Sequence, residues 1–122
     1  WGAVDFVLVN AGRMGGLSEM RSVGLVAAKS DKPVWPHAGG VGLCEYVQHY
    51  SMIDYVMLSA TLEGRSVEYV DHLHEHFEDP CVIRGGAYLP PAQPGFSIKM
   101  LDASLDHYEY PRGEAWHAVM HG

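Results

Sequence analysis

The stretch Pro33-Val34-Trp35-Pro36-His37-Ala38-Gly39-Gly40-Val41-Gly42-Leu43-Cys44-Glu45 decides how this chain is read. A short apolar run bounded by prolines reads as a strand that lacks ladder donors at its ends. An imidazole follows it, then glycines, then a helix-like segment from Leu43 to about Ser51. A strand end that turns through small residues into a helix is where parallel α/β folds place their chemistry. His37 is therefore a candidate acid or base, and Gly39 beside it leaves room for a ligand to approach the backbone.

Upstream, Ala3 to Val9 is nearly all apolar and rich in β-branched residues, the pattern of a parallel strand covered on both faces. It stops at Asn10-Ala11-Gly12-Arg13-Met14-Gly15-Gly16, a tip broken by glycines that presents two polar groups, Asn10 and Arg13. Ser18 offers an N-cap oxygen and Glu19 favours the helix dipole. Met20, Val23, Val26 and Ala27 recur at helical spacing, so a helix is expected to about Lys29.

Downstream, Asp54 to Ala60 reads as a third strand with Thr61-Leu62-Glu63-Gly64-Arg65 as its tip. Ser66 would then cap a helix through Phe77, with Val67, Val70, Leu73, His74 and Phe77 on its buried face. This order implies right-handed βαβ units in a parallel sheet and places Asn10, His37 and Glu63 on one rim. After Pro80 glycines and prolines dominate; Cys81 to Arg84 reads as a short strand and long helices are not expected. The aromatic residues Tyr88, Phe96, Tyr108, Tyr110 and Trp116 should pack this tail onto something.

The 122 residues, 48% hydrophobic and 19% charged, suit one small domain. A formal charge of -7 argues against nucleic-acid or anionic-membrane binding, where lysines and arginines make the phosphate contacts. No apolar run approaches the roughly 18 residues of a membrane span, and the start has no signal-peptide pattern. The chain opens on Trp1 within an apolar strand pattern, so we expect the natural protein to continue upstream. Cys44 and Cys81 have no metal-knuckle spacing; reduced thiols in an intracellular protein, cytoplasmic or mitochondrial, are the expectation.

The remaining candidates divide between chemistry and plain structure. Arg13 can pair with an acidic neighbour or bind substrate. His72 and His76 in Asp71-His72-Leu73-His74-Glu75-His76 would share one helical face at zinc-compatible spacing, but no third ligand is evident. A polar helix face with one buried histidine is the expectation there. No GxGxxG, Walker or GxSxG motif is present.

Residues 34–49, the tip at 59–65 and the segment 68–80 together resemble the enolase superfamily, specifically its L-fuconate dehydratases. Tyr88-Leu89-Pro90-Pro91, Pro94-Gly95-Phe96 and Tyr110-Pro111 are similar to that family's C-terminal extension. The resemblance implies the C-terminal portion of an enolase-type (β/α)8 barrel: about three parallel strand-helix units over residues 1–84, with an irregular extension over 85–122 that packs toward a capping domain. It also implies a Mg²⁺-dependent dehydration of a small acid sugar, L-fuconate to 2-keto-3-deoxy-L-fuconate. A proton leaves alpha to the carboxylate, then the 3-hydroxyl departs. His37 would be the general acid and Glu63 the last-strand carboxylic residue near the substrate. The Mg²⁺ ligands and the lysine base would lie on earlier strands, upstream of this chain.

One departure stands out. The family normally has Asp where this chain has Asn10, paired with the histidine to orient it. An uncharged partner suggests a weakened or altered histidine, as the comparable change in a serine-protease triad costs about 10⁴ in turnover. The isolated chain is expected to be inactive, and a homo-oligomer is compatible with the complete protein. The alternatives are a non-catalytic remnant or pseudoenzyme that acts by association, and a zinc-binding His-rich surface.

Overall fold

The structure, a computed structural model, describes residues 2–121; Trp1, included in the expected 1–84 unit, lies outside them. Strand β1 (Val7–Asn10) pairs in parallel with β2 (Val34–His37), in the register Val7 to Val34 and Asn10 to His37. The crossover is helix α1 (Leu17–Lys29), and β2 leads into helix α2 (Leu43–Ile53). The first two expected units are thus present.

Their boundaries follow local chemistry. Helix α1 starts one residue before Ser18: Gly16, at φ 115°, is the N-cap, while the Glu19 carboxylate accepts from the Gly15 amide. Glycine alone takes that backbone angle cheaply. Strand β1 is shorter than expected and is covered on one face only. Val9 is buried, whereas Phe6 and Leu8 are exposed, Leu8 at 62%. Both-face coverage of this strand is not met within this chain.

The first core joins Val9, Met20, Ala27, Val34 and Tyr50. Burying an apolar side chain of this size contributes about 1.5–3 kcal/mol. The Tyr50 hydroxyl donates to the Met20 carbonyl at 2.8 Å, so α2 is tied to α1 by both packing and a satisfied polar group. Gly24 makes that approach possible, since a Cβ there would stand 2.9 Å from both Leu58 and the Tyr50 hydroxyl.

The third strand expected at residues 54–60 is absent. Asp54–Ser59 forms a π-helical continuation of α2, closed by Ala60 in the left-handed region with its amide on the Tyr55 carbonyl. A short apolar run cannot be distinguished from a helical segment by periodicity. Here Tyr55, Val56 and Met57 are exposed and have no strand to pair with. The place beside β2 belongs to residues 66–70, where the Glu68 amide donates to the Pro36 carbonyl at 3.0 Å.

That placement also removes the helix expected from Ser66 to Phe77. Val67 and Val70 pack on the second core of Ala38, Cys44 and Val47 from a segment that is not helical. Leu73 sits at φ 67°, which ends any right-handed helix, and only His74–His76 makes a 3-10 turn. His72 and His76 therefore share no helix face. His72 is exposed, and His76 pairs with the Ser104 hydroxyl at 3.1 Å.

Strands β3 (Val82–Arg84) and β4 (Ala87–Leu89) form an antiparallel hairpin, and α3 (Asp102–Tyr108) and α4 (Glu114–His121) are short. The tail folds back on the 74–79 segment through Glu78 N–H to Lys99 carbonyl and Leu101 N–H to His76 carbonyl, both 2.9 Å. Phe96 stacks on Tyr46, Tyr108 meets His76 edge-on, and the Tyr88 hydroxyl donates to the Glu68 carbonyl. Tyr110 and Trp116 pack on each other.

Candidate active site

His37 closes β2 opposite Asn10 in the parallel ladder, so both residues stand at carboxyl ends of adjacent strands. Their side chains do different things. The Asn10 oxygen accepts from the Gly12 amide at 3.0 Å and caps its own 3-10 turn. His37 instead directs Nδ1 at Glu68 Oε2, the same oxygen that accepts from the Ala38 amide at 2.6 Å. One carboxylate therefore grips both the imidazole and the backbone that follows it.

Glu68 is the residue that the sequence reading missed. A helix over 66–77 would carry it away from β2; with residues 66–70 lying beside β2 instead, position 68 comes next to position 37. A signal was present: a carboxylate in a short run of valine and tyrosine, Val67-Glu68-Tyr69-Val70, has the β-branched and aromatic composition of a sheet-edge segment.

Glu63 lies at the exposed turn between Leu62 and Arg65, where its amide donates to the Thr61 hydroxyl at 3.1 Å. Among the described residues no hydrogen bond or ion pair joins it to His37. Arg13 ends the 3-10 turn after β1 and is exposed. Asn10 and His37 end adjacent strands, and Glu68 joins His37 there.

Gly39 has a clear steric role. A Cβ at that position would meet Cε1 of His37 at 2.7 Å and Nε2 at 2.8 Å. The missing side chain leaves space beside Nε2, which makes no hydrogen bond to any described residue. The arrangement is an imidazole with Nδ1 held by a carboxylate and Nε2 presented outward, the geometry in which a carboxylate fixes tautomer and orientation. Such a histidine can deliver or accept a proton at Nε2.

Residues 1–104 match the family described as Enolase C-terminal domain-like. The chain belongs to the enolase C-terminal domain-like family. Mitochondrial enolase superfamily member 1 of Homo sapiens is 48% identical over 118 residues, which is 97% of this chain and 27% of that protein. L-galactonate dehydratase of Hypocrea jecorina is 49% identical over 117 residues, 94% of this chain and 26% of that protein. The crystal structure of human mitochondrial enolase superfamily member 1 superposes with a TM-score of 0.91 at 47% identity, over 97% of this chain and 27% of the other. The enolase-family α/β fold is thus shown, and the chain spans about a quarter of the length of these relatives.

Members of the enolase superfamily generally use Mg²⁺. Among the described residues, the one group of three or more potential metal-ligating side chains brought together is Cys44, His74 and Cys81. Sulfur and imidazole are poor partners for this hard, oxygen-seeking cation. That group does not fit Mg²⁺.

Proposed function

We propose that this chain supplies the acid side of an acid-sugar dehydratase, with His37 as general acid. The observation that supports it best is His37 at a strand's carboxyl end with Nδ1 on Glu68 and Nε2 unpartnered beside Gly39. An L-galactonate dehydratase among the relatives points to the same reaction class. The substrate is a small acid sugar, L-fuconate or a close analogue. The Mg²⁺ ligands and the base that removes the α-proton belong to other strands of a longer protein, in which residues 1–84 form part of the barrel and 85–122 the extension.

The chain's own contribution is a proton at Nε2. Glu68 orients the ring and stabilises the imidazolium that holds this proton before transfer. The proton passes to the departing 3-hydroxyl, which leaves as water, and neutral imidazole remains. Well-placed acid catalysis of this kind contributes about 10²–10⁴ in rate. In this reading Arg13, on the 3-10 turn after β1, and Gly39 are the substrate-side residues.

The test is a dehydratase assay with L-fuconate and L-galactonate in the presence of Mg²⁺, on this chain and on a version completed upstream. The isolated chain is expected to be inactive and the completed protein active, with His37→Gln lowering kcat about 10²–10⁴-fold. A completed protein that binds an acid sugar and turns over neither compound would refute the proposal, as would full activity in the His37 variant.

A further inference from the structure

Behind the His37 turn the fold gathers four side chains that the proton chemistry does not use. Cys44 lies in the first turn of α2, His74 on the 3-10 turn, and Cys81 just before β3. One ligand atom from each lies within 4.8 Å of the others. The Cys81 sulfur is 3.6 Å from His74 Nδ1. Tetrahedral bonds of about 2.3 Å to sulfur and 2.0–2.1 Å to nitrogen place those two atoms about 3.6 Å apart. Glu45, 1% exposed, adjoins this group of three: its Oε1 lies 2.6 Å from His74 Nδ1 and accepts from the Cys81 amide at 3.3 Å.

The surrounding hydrogen bonds favour a cation at the centre. His74 Nε2 lies 2.8 Å from the Val70 carbonyl. A ligating histidine ordinarily donates its distal N–H to such a carbonyl, which leaves Nδ1 as the ligand atom. The Cys44 sulfur has only long contacts to the Ala38 and Val70 carbonyls, at 3.8 and 3.9 Å. No strong hydrogen bond competes for it. A buried carboxylate and an imidazole nitrogen face each other across a proton, beside two thiols.

We propose that Cys44, His74 and Cys81 form a structural zinc site, with Glu45 turning in as the fourth ligand once the proton it shares with His74 has left, and that this site pins the segment after Glu68 and the start of β3 to the N-terminus of α2. Two sulfurs, one imidazole and one carboxylate select a borderline-soft cation, and four protein ligands leave no open position for catalysis. When Zn²⁺ enters, the two thiol protons and the proton shared by His74 and Glu45 leave to solvent. The site differs from the expected His72–His76 pair in every ligand.

The test uses the reduced 122-residue chain, titrated with Zn²⁺ against a chromophoric chelator and separately with Co²⁺. One Zn²⁺ per chain is expected, together with tetrahedral Co²⁺ absorption and a thiolate-to-cobalt charge-transfer band. Cys81→Val should weaken binding at least about 100-fold, since loss of a second-shell partner alone costs about 10–100-fold. Circular dichroism checks that this variant keeps its fold, and Glu45→Gln gives a second, milder arm. The double variant His72→Ala and His76→Ala should bind as the parent does. A folded, reduced chain that takes up no stoichiometric zinc overturns the proposal. So does a Co²⁺ spectrum without the thiolate band, or binding that survives Cys81→Val and is lost in the His72 and His76 variant.

Discussion

Glu68 Oε2 receives both the His37 ring and the Ala38 amide, so one side chain sets the tautomer of the imidazole and the path of the backbone after it. Glu68→Gln keeps the shape but can no longer stabilise an imidazolium. In the completed protein it should lower kcat by about 10²–10⁴-fold with little change in KM, measured by steady-state dehydration kinetics. Asn10 already accepts from Gly12, so Asn10→Asp should alter the same rate by less than about 10-fold. A large gain from that change would return the orienting role to position 10. Gly39 acts through space: Gly39→Ala forces the ring aside, and a displacement of about 1 Å at a reacting group costs about 10²-fold. Its thermal midpoint should stay close to the parent's, because Gly39 is exposed.

Between elements, the return of the tail is held by a small polar cluster. His49 Nε2 lies 3.3 Å from the Ser97 hydroxyl, which donates to Asp79 at 2.8 Å, and Phe96 covers the imidazole. Burial lowers the His49 pKa below its ordinary value, against the raising influence of the Phe96 backbone and Asp79. A depressed folded-state pKa means that the stabilisation is present above the unfolded value of about 6.5 and is lost as pH falls through the folded one. The protection of the Leu101 and Glu78 amides, which pair the tail to the 74–79 segment, should therefore fall between pH 7 and pH 5, read as the ratio of intrinsic to observed hydrogen-exchange rate at each pH. His49→Gln should flatten that dependence. The same scale shows why two element predictions failed. The run Asp54–Ala60 has the composition of a strand but no free sheet edge, while Val67–Val70 has the edge and loses its helix to Leu73 at positive φ.

At the scale of the molecule, a two-stranded parallel sheet leaves Phe6 and Leu8 uncovered, and Val56 and Leu62 are each 78% exposed. Apolar surface of this extent on an open sheet favours association. Light scattering during size-exclusion chromatography at micromolar concentration should show species larger than 13.4 kDa, reduced by Leu8→Gln. A monodisperse monomer would contradict this. The sequence by itself determined the first two strand-helix units, the family and the place of His37, because glycine and proline punctuation and helical periodicity are local properties of the chain. Only the tertiary structure decided which carboxylate reaches that histidine and which sulfur meets which imidazole. Glu63 and Glu68, like His72 and His74, are close neighbours in sequence with similar chemistry. What separates them is the route taken by residues 54–77, set by the vacant position beside β2 and the second core under it, and neither can be read from any window of the chain.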